Sequence, residues 1–344
     1  MASRLRGWLE AVWYEGRSGA LLLAPLSALF GLVSGLRRSA YRLGLRPRYR
    51  ASVPVVVVGN LSVGGTGKSP VVAALVDALQ RRDLRVGILA RGYGVELRES
   101  REVVAGVTAS EVGDEPLMHA LTTGARVVVA PDRAAGARHL ERLGVDVIVS
   151  DDGLQHYGLE RDLEIVVIDA SRGFGNGRLL PAGPLREPVT RLATVDYVII
   201  NGDAAERRDW RGRDGQLVLR LFPAAARRVD DGRQWRALEA FRGQRVHAVA
   251  AIGNPQRFFH LLRQSGLSIE EHAFADHHAF TPADFAFGDS DPVLMTSKDA
   301  VKCRPFAEGQ MWELPVTARL SPDDGRALID RICALVATQQ KSRG

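Results

Sequence analysis

Residues 53–70 read VPVVVVGNLSVGGTGKSP, and this stretch decides the fold. The apolar run 53–59 is typical of a strand that is buried on both faces of a sheet. The glycines that follow let backbone N–H groups converge on an anion. The apolar residues of 71–82 read as a helix directly after them, whose N-terminus adds to the attraction. The order of strand, glycine-rich loop and helix therefore predicts a phosphate-binding loop.

The loop departs from the usual P-loop pattern at its first position. The pattern G-x-x-x-x-G-K-[ST] calls for a glycine at residue 62, where this chain has Ser62. We expect Lys68 to reach the β- and γ-phosphates of a nucleotide and the Ser69 hydroxyl to bind Mg²⁺. The predicted nucleotide-binding residues of the loop are Ser62, Val63, Gly64, Gly65, Thr66, Gly67, Lys68 and Ser69.

Further short apolar runs alternate with helical stretches along the chain. Continuous apolar strands that are separated by helices indicate a parallel sheet covered on both faces. We therefore predict an α/β fold, with a P-loop NTPase-like, doubly wound, mostly parallel sheet that binds ligands at the carboxyl ends of its strands. The strand candidates after the first are 85–90, 125–130, 145–150, 163–169 and 195–200.

The chain divides into three predicted segments: an N-terminal membrane anchor (1–45), the P-loop domain (46–240) and a smaller C-terminal α/β domain (241–344). Residues 204–243 are charged and read as a connecting region. The second α/β unit begins with a strand, a Gly-Asn turn and a helix at 245–266 and ends with a helix near 322–338.

Composition limits the class of protein. A hydrophobic fraction of 46% and a charged fraction of 25% are ordinary for a globular protein. Two cysteines, Cys303 and Cys333, give neither a disulfide framework nor metal-ligand spacing, which fits a reducing compartment.

The positive charge is confined to the front of the chain. The net charge is +6, but residues 1–50 hold nine arginines and two glutamates, so the remainder sums to −1. A body without a basic excess argues against a nucleic-acid partner and for a local role of the basic segment.

A run of 19 uncharged residues, 18–36, lies inside this basic segment, with Arg37 and Arg38 directly after it. A spanning helix needs about 20 apolar residues, and Pro25 weakens this one. Three interpretations are open: a membrane anchor that spans or lies in the interface, a buried core helix, or a cleaved signal peptide. We favour an anchor at a membrane surface that need not cross it.

A second motif supplies carboxylates for a metal. The segment VDVIVSDDGLQH (145–156) is an apolar strand that ends in Asp151 and Asp152, which is the Walker-B arrangement. Two adjacent carboxylates repel each other unless a cation or protons lie between them. The plain alternative is a polar turn that closes the strand, but beside a P-loop we predict Mg²⁺ at both aspartates.

These motifs occur in one order that resembles a known family. From about residue 15 to about residue 305, the chain is similar to the tetraacyldisaccharide 4′-kinases of lipid A biosynthesis. That family also has Ser at position 62 but usually Thr where this chain has Ser69. The matching segments are GNLSVGGTGKSP (59–70), ARGYG (90–94), VGDEP (112–116), SDDGLQH (150–156), GNGRLLPAGPLREP (175–188), AIGNPQRFF (251–259), DHHAF (276–280) and TSKDAVK (296–302).

The resemblance implies an ATP- and Mg²⁺-dependent lipid kinase. Such an enzyme transfers the γ-phosphate of ATP to the 4′-hydroxyl of a tetraacyldisaccharide 1-phosphate and forms lipid IVA. Its acceptor is an acylated glucosamine disaccharide phospholipid, and its place is the cytoplasmic face of the inner membrane. A basic anchor that holds the catalytic body against a membrane surface agrees with this.

The resemblance also implies a catalytic pair, with Asp114 as base and His277 as its orienting partner. From spacing alone, Asp114 could instead cap the helix that follows, and His277 could be a solvated loop residue. The neighbouring His278 is the alternative to His277. Among catalytic residues we also count Lys68.

Phosphoryl transfer depends on further cations that neutralise charge. Arg91 and Arg133 are candidates, with surface salt bridges as the plain alternative. Arg186 and Glu187 are predicted to be catalytic in a segment that closes over the reactants. The resemblance places Gln155 near the nucleotide.

A different class remains as an alternative function. VGGTGKS is similar to the loop of partition-type ATPases, which dimerise and switch on membranes, although Val63 stands where those proteins have a lysine. Such a protein would hydrolyse ATP without an acceptor.

Overall fold

A computed structural model describes residues 2–202, 216–230 and 232–342. The described chain is a mixed α/β protein with two largely parallel sheets, which confirms the predicted class. Part of the predicted connecting region, 204–215 and 231, lies outside the described residues.

The first sheet has nine strands in the order β15-β8-β7-β6-β1-β5-β2-β4-β3. Its seven central strands, from β8 to β4, pair in parallel, and β15 and β3 pair antiparallel at the two edges. The strands are β1 (Val55–Gly59), β2 (Val86–Ala90), β3 (Arg101–Glu102), β4 (Arg126–Val129), β5 (Val147–Asp151), β6 (Leu163–Asp169), β7 (Tyr197–Asn201), β8 (Gln216–Pro223) and β15 (Val316–Arg319).

The second sheet has six strands in the order β10-β9-β14-β13-β11-β12, in which the last four pair in parallel. Its strands are β9 (Ala226–Arg228), β10 (Trp235–Arg236), β11 (Arg245–Ala250), β12 (Ser268–Ala273), β13 (Val293–Thr296) and β14 (Met311–Leu314).

Nine α-helices of the described chain cover and connect these sheets: α1 (Ala2–Tyr14), α2 (Ala24–Arg42), α3 (Lys68–Gln80), α4 (Ala109–Val112), α5 (Asp114–Thr123), α6 (Arg133–Arg142), α7 (Pro255–Gln264), α8 (Ser297–Cys303) and α9 (Pro322–Lys341). Short 3₁₀ helices lie at Val189–Thr194, Leu238–Phe241, Pro282–Phe285 and Arg304–Phe306.

Strand membership does not follow the predicted division at residue 240. β9 and β10 already belong to the second sheet, and β15 returns to the first sheet with α9 packed on α3. These C-terminal elements cover α3 together with α5. The domain limits remain a prediction. The membership of strands in the two sheets indicates different limits.

The core of the first sheet forms on both of its faces. All five residues of β1 are buried, and its valines alternate between two apolar clusters, one on each face. Burial on both faces explains why the run is uniformly apolar rather than alternating. The strand thus fixes the position at which the phosphate-binding loop begins.

The N-terminal segment forms two helices that differ from the predicted run 18–36. α2 has no buried residue, so the interpretation as a core helix was wrong. No helix in the described ranges is long and apolar enough to cross a membrane, which corrects the spanning alternative. The physical reason is that α2 begins only at Ala24 and takes in Arg37, Arg38 and Arg42.

The packing of α3 gives a stability prediction. Leu79 is fully buried against the first sheet, so Leu79→Ala should lower the free energy of unfolding by about 2–5 kcal/mol. Urea denaturation followed by circular dichroism measures the change. Asp77→Ala, on the exposed side of the same helix, should stay within about 0.5 kcal/mol of the parent. Equal effects of both variants would contradict the assignment of the buried face.

Candidate active site

The glycine-rich loop joins β1 to α3 at the carboxyl edge of the first sheet. Gly64 and Gly67 have positive φ angles of 102° and 88°, which side chains rarely adopt. A Cβ at Gly67 would lie 2.0 Å from Asn201 Nδ2, so no other residue fits there. Asn201, at the end of β7, also donates from Nδ2 to the Thr66 carbonyl at 2.9 Å. The backbone conformation of the loop is therefore fixed by contacts with neighbouring residues as well as by its own glycines.

The structure explains why residue 62 is not a glycine. Ser62 forms an antiparallel bridge with Leu185, and it is not among the residues with positive φ. Val63 N donates to the Pro184 carbonyl at 2.8 Å, and Arg186 N donates to the Leu61 carbonyl at 2.6 Å. Sequence reasoning missed this pairing, because nothing local links residues about 120 positions apart.

Asp152 lies between two cations at the end of β5. Its carboxylate is 3.4 Å from Lys68 Nζ and 2.9 Å from Arg186 Nη1. Burial raises the pKa of Asp152, but the charges of Lys68 and Arg186 outweigh burial and hold the pKa well below its usual range. The structure thus brings three of the predicted site residues together at one point.

Asp151 is buried and has a partner that the sequence did not reveal. Its Oδ2 lies 3.0 Å from His119 Nε2, whereas its Oδ1 is buried without a hydrogen-bond partner in the described chain. A buried carboxylate oxygen with no donor fits a cation ligand, and Mg²⁺ prefers oxygen ligands. With Asp152 and the half-buried Ser69, these residues form an oxygen-rich set that suits magnesium. The helical spacing around His119 gave no signal for this contact.

The other predicted cations and Gln155 lie at the same edge of the sheet. Arg133 is buried and donates from Nη2 to the Asp151 carbonyl at 2.9 Å, which rules out a surface salt bridge for this residue. Burial lowers the pKa of Arg133 to about 10, with Asp151 and Asp152 opposing. Gln155 donates from Nε2 to the Asn60 carbonyl at 3.1 Å. Arg91 follows β2 and is exposed.

Asp114 and His277 meet as a pair across the two sheets. Asp114 begins α5, and its Oδ2 lies 2.9 Å from His277 Nδ1. The N-cap of α5 is Gly113, so Asp114 is not the capping residue that spacing alone suggested. His277 has a φ of 62°, a strained conformation for a residue other than glycine. Its ring packs against that of Tyr93, with the centroids 4.6 Å apart and the planes tilted by 33°.

The electrostatics of this pair favour a charged carboxylate. Burial raises the pKa of Asp114, but the hydrogen bond from His277 and the charge of Lys298 outweigh it and leave the pKa lowered. His278 turns elsewhere, since its Nε2 lies 3.3 Å from Asp284. The geometry therefore separates the two adjacent histidines.

A cavity of about 1200 Å³ opens at Asp114 and His277. Its wall includes apolar side chains from the chain after β3, from α5 and from the chain after β12, namely Val103, Val104, Leu117, Leu121 and Phe280. A carboxylate at the mouth of an apolar cavity can face the polar part of an amphipathic molecule.

Glu187 does not join these groups, although Arg186 beside it does. Its carboxylate accepts from the Tyr157 hydroxyl and lies 3.4 Å from Arg191 Nε, in a buried network with Glu164. Burial raises the pKa of Glu187. These contacts are typical of a structural residue that stabilises the segment 183–188 through a buried polar network.

The second sheet contacts the glycine-rich loop directly, which sequence reasoning missed. The Gly-Asn turn after β11 lies so close that a Cβ at Gly253 would be 2.5 Å from Gly65 N. Arg257 of α7 donates to Asn201 Oδ1, and Asn254 donates to Asp169 Oδ2 at 3.4 Å. The turn was predicted only as a local connection.

The half-buried His156 gives a pH prediction. Burial and the charge of Arg133 lower its pKa to about 3 from a usual value of 6.5. Between these values the unfolded chain binds a proton that the folded chain does not, so stability falls as the pH drops below about 6.5. In His156→Gln, the loss of unfolding free energy between pH 7 and pH 4 should be smaller than in the parent, by chemical denaturation.

The exposed His260 on α7 is the matched control. His260→Gln should keep the pH dependence of the parent. An unchanged pH dependence in His156→Gln would contradict the proposed cause.

Comparison with known proteins agrees with this geometry. A family model described as tetraacyldisaccharide-1-P 4′-kinase matches residues 19–334. A tetraacyldisaccharide 4′-kinase of Methylobacillus flagellatus is 47% identical over 336 residues, which cover 97% of each chain. One from Azoarcus sp. is 50% identical over 322 residues, which cover 93% of this chain and 94% of the relative.

A solved structure is also similar. The crystal structure of LpxK from Aquifex aeolicus in complex with ATP matches with a TM-score of 0.76 and 30% sequence identity, and the match covers 92% of this chain and 99% of that one. These matches displace the partition-type ATPase as an alternative. Since the family model spans residues 19–334 and relatives are up to half identical over nearly their full length, the chain belongs to the tetraacyldisaccharide-1-phosphate 4′-kinase family.

Proposed function

We propose that the protein transfers the γ-phosphate of ATP to the 4′-hydroxyl of a tetraacyldisaccharide 1-phosphate and forms the 1,4′-bisphosphate, lipid IVA. Membership of the family supports this reaction. The observation in the molecule that carries it is the Asp152 carboxylate between Lys68 and Arg186, beside a glycine loop that leaves no room for a side chain at position 67.

The loop is the proposed site of the nucleotide phosphates. Residues 64–67 would offer backbone N–H groups, and Lys68 and Arg186 would offer positive charge to the phosphate oxygens. Ser62 and Val63 would form the start of this loop, where they pair with the segment around Leu185. Asp152 holds both cations at this point by ion pairs of 3.4 and 2.9 Å, so the cations are positioned in advance. Gln155 and Arg91 are proposed to border the nucleotide.

Ser69, Asp151 and Asp152 are the proposed ligands of Mg²⁺. These three residues would hold the ion, which would supply positive charge against the phosphates during transfer. His119 holds the Asp151 carboxylate from the other side at 3.0 Å, and Arg133 holds its carbonyl. These contacts keep the unpartnered oxygen of Asp151 in place.

Asp114 is the proposed general base. A sugar hydroxyl is a poor nucleophile at neutral pH, and a charged carboxylate within hydrogen-bond reach can accept its proton as the P–O bond forms. The hydrogen bond from His277 at 2.9 Å orients this carboxylate. The apolar cavity beside the pair offers room for part of an acylated sugar.

The finer assignment of the fold belongs to the same proposal. A buried strand, a glycine loop and a helix that starts at Lys68 support a P-loop NTPase-like first sheet. The separate apolar clusters of the second sheet support a smaller second domain.

A phosphotransfer assay tests the function. Protein in detergent with ³²P-labelled ATP and tetraacyldisaccharide 1-phosphate should yield a labelled lipid. Asp114→Asn should lower kcat by about 10²–10⁴-fold, because it removes the proton acceptor and keeps the shape. Asp77→Asn, on the exposed face of α3, should keep full activity.

Two results would count against the proposal. ATP hydrolysis without any labelled lipid would point to a nucleotide switch. A near-parental kcat for Asp114→Asn would remove Asp114 from the chemistry.

The protein is further proposed to work at the cytoplasmic face of the inner membrane, with α2 lying on the lipid surface. Five apolar side chains of α2 are each more than half exposed. Arg37 and Arg42, in the last part of the same helix, are exposed as well. An exposed apolar face with flanking arginines is typical of an interfacial helix on anionic lipid. The five are Leu26, Leu29, Leu32, Val33 and Leu36.

The two N-terminal helices, α1 and α2, contact the segment that pairs with the glycine loop. The Ser27 hydroxyl donates to the Leu179 carbonyl and accepts from Ala182 N at 3.1 Å, and Trp13 Nε1 donates to the Pro181 carbonyl at 2.9 Å. A body fixed to these helices would therefore keep its active site close to the lipid surface.

Vesicle binding tests the location. Leu29→Glu should reduce co-sedimentation with anionic vesicles several-fold, because a charge enters the face that meets the acyl chains. Trp235→Glu replaces an equally exposed side chain, 57% in both cases, on the second sheet and should bind like the parent. Parental binding by Leu29→Glu, with its circular dichroism spectrum unchanged, would place the membrane contact elsewhere.

A further inference from the structure

Lys298 is a buried lysine that the mechanism above does not use. It is the second residue of α8, and its side chain is 14% exposed. A cation in the first turn of a helix is opposed by the helix dipole, so local helix preference does not explain it. Its surroundings must supply the reason.

Three of the groups around the ammonium are carboxylates. Two of them belong to α5, and the third belongs to the segment that follows β12. Nζ lies 3.1 Å from Glu115 Oε1, 3.3 Å from Asp276 Oδ1 and 4.0 Å from Asp114 Oδ2. Burial lowers the pKa of Lys298, but the charges of Glu115, Asp114 and Asp276 outweigh it and raise the pKa. Lys302, on the same helix, is paired with Asp299 at 2.8 Å. Lys298 therefore stays protonated and can only donate hydrogen bonds.

The fourth group is the ring of His277. Lys298 Nζ lies 3.3 Å from His277 Nε2, while His277 Nδ1 lies 2.9 Å from Asp114 Oδ2. A neutral imidazole has one N–H and one lone pair. Since an ammonium offers no lone pair, Nε2 must present its lone pair to Lys298, and the ring proton must be on Nδ1, where it points at Asp114.

We propose that Lys298 is a positioning residue that fixes the tautomer of His277 and, through it, the orientation of the Asp114 carboxylate. The role of Asp114 as base rests on the function proposed above, whereas the tautomer does not. The ammonium at Nε2 occupies the lone pair of that nitrogen. His277 can then act only as a donor to Asp114 and never as a competing proton acceptor at Nε2.

The tautomer can be measured without any activity. In full-length protein with ¹⁵N-labelled histidine, long-range ¹H–¹⁵N correlations show which ring nitrogen carries the proton, and His277→Gln assigns the signal. We expect the proton of the parent on Nδ1. In Lys298→Met the proton should be shared between Nδ1 and Nε2.

Kinetics gives a second readout. Lys298→Met should lower kcat at pH 7 about tenfold or more and leave KM for ATP within about twofold. Lys298→Arg keeps a permanent donor and should restore both the parental tautomer and most of kcat. Lys341→Met, at the exposed end of α9, should match the parent in every measurement.

Several outcomes would overturn the proposal. One is a parent that carries the His277 proton on Nε2, and this result stands even if Lys298→Met fails to fold. Another is a Lys298→Met variant with a lower melting temperature but with the parental tautomer and kcat, which would limit Lys298 to a structural contact between α5 and α8. A parent with the expected tautomer but without lipid kinase activity would refute only the proposed function.

Discussion

The structure depends on the carboxyl edge of one parallel sheet, where buried strands end next to each other. β1 lies between β5 and β6, so the glycine loop after β1 and the aspartates after β5 emerge as neighbours. Burial on both faces makes this arrangement rigid. The chemistry of the site needs that rigidity, because charges that are fixed before the reactants arrive require no reorganisation.

Charge balance is the second constraint on this edge. Buried or half-buried charges are costly unless they are paired, and the aspartates here face cations or a histidine. Asp152 faces Lys68 and Arg186, Asp151 faces His119, and the carboxylates around Asp114 face Lys298. The pairs link the ends of different elements, so the ion pairs also fix the geometry between those elements.

The sequence predicted what is encoded locally. The run 163–169 coincides with β6, and 85–90 and 145–150 differ from β2 and β5 by one or two residues, because uniform burial leaves a continuous apolar signal. Short edge strands such as β3 carry no such signal and were missed. The order of motifs was sufficient to name a kinase family, and the two residues that this resemblance pairs, Asp114 and His277, lie in contact.

Contacts between distant parts of the chain were beyond that reasoning. The bridge between Ser62 and Leu185, the partner of Asp151 and the buried position of Glu187 arise from tertiary packing alone. A motif does not distinguish the roles of adjacent residues such as Arg186 and Glu187. Arg186 forms an ion pair with Asp152, whereas Glu187 is paired with Arg191 away from the aspartates.

The close approach of Gly253 to Gly65 has an evolutionary consequence. Two backbones that nearly touch leave no volume for a substituent on either side, although almost 190 residues separate them along the chain. Even a single added methyl group at position 253 would require a displacement of the phosphate-binding turn. The two halves of the molecule are therefore free to diverge in most places, but at this point they can change only together.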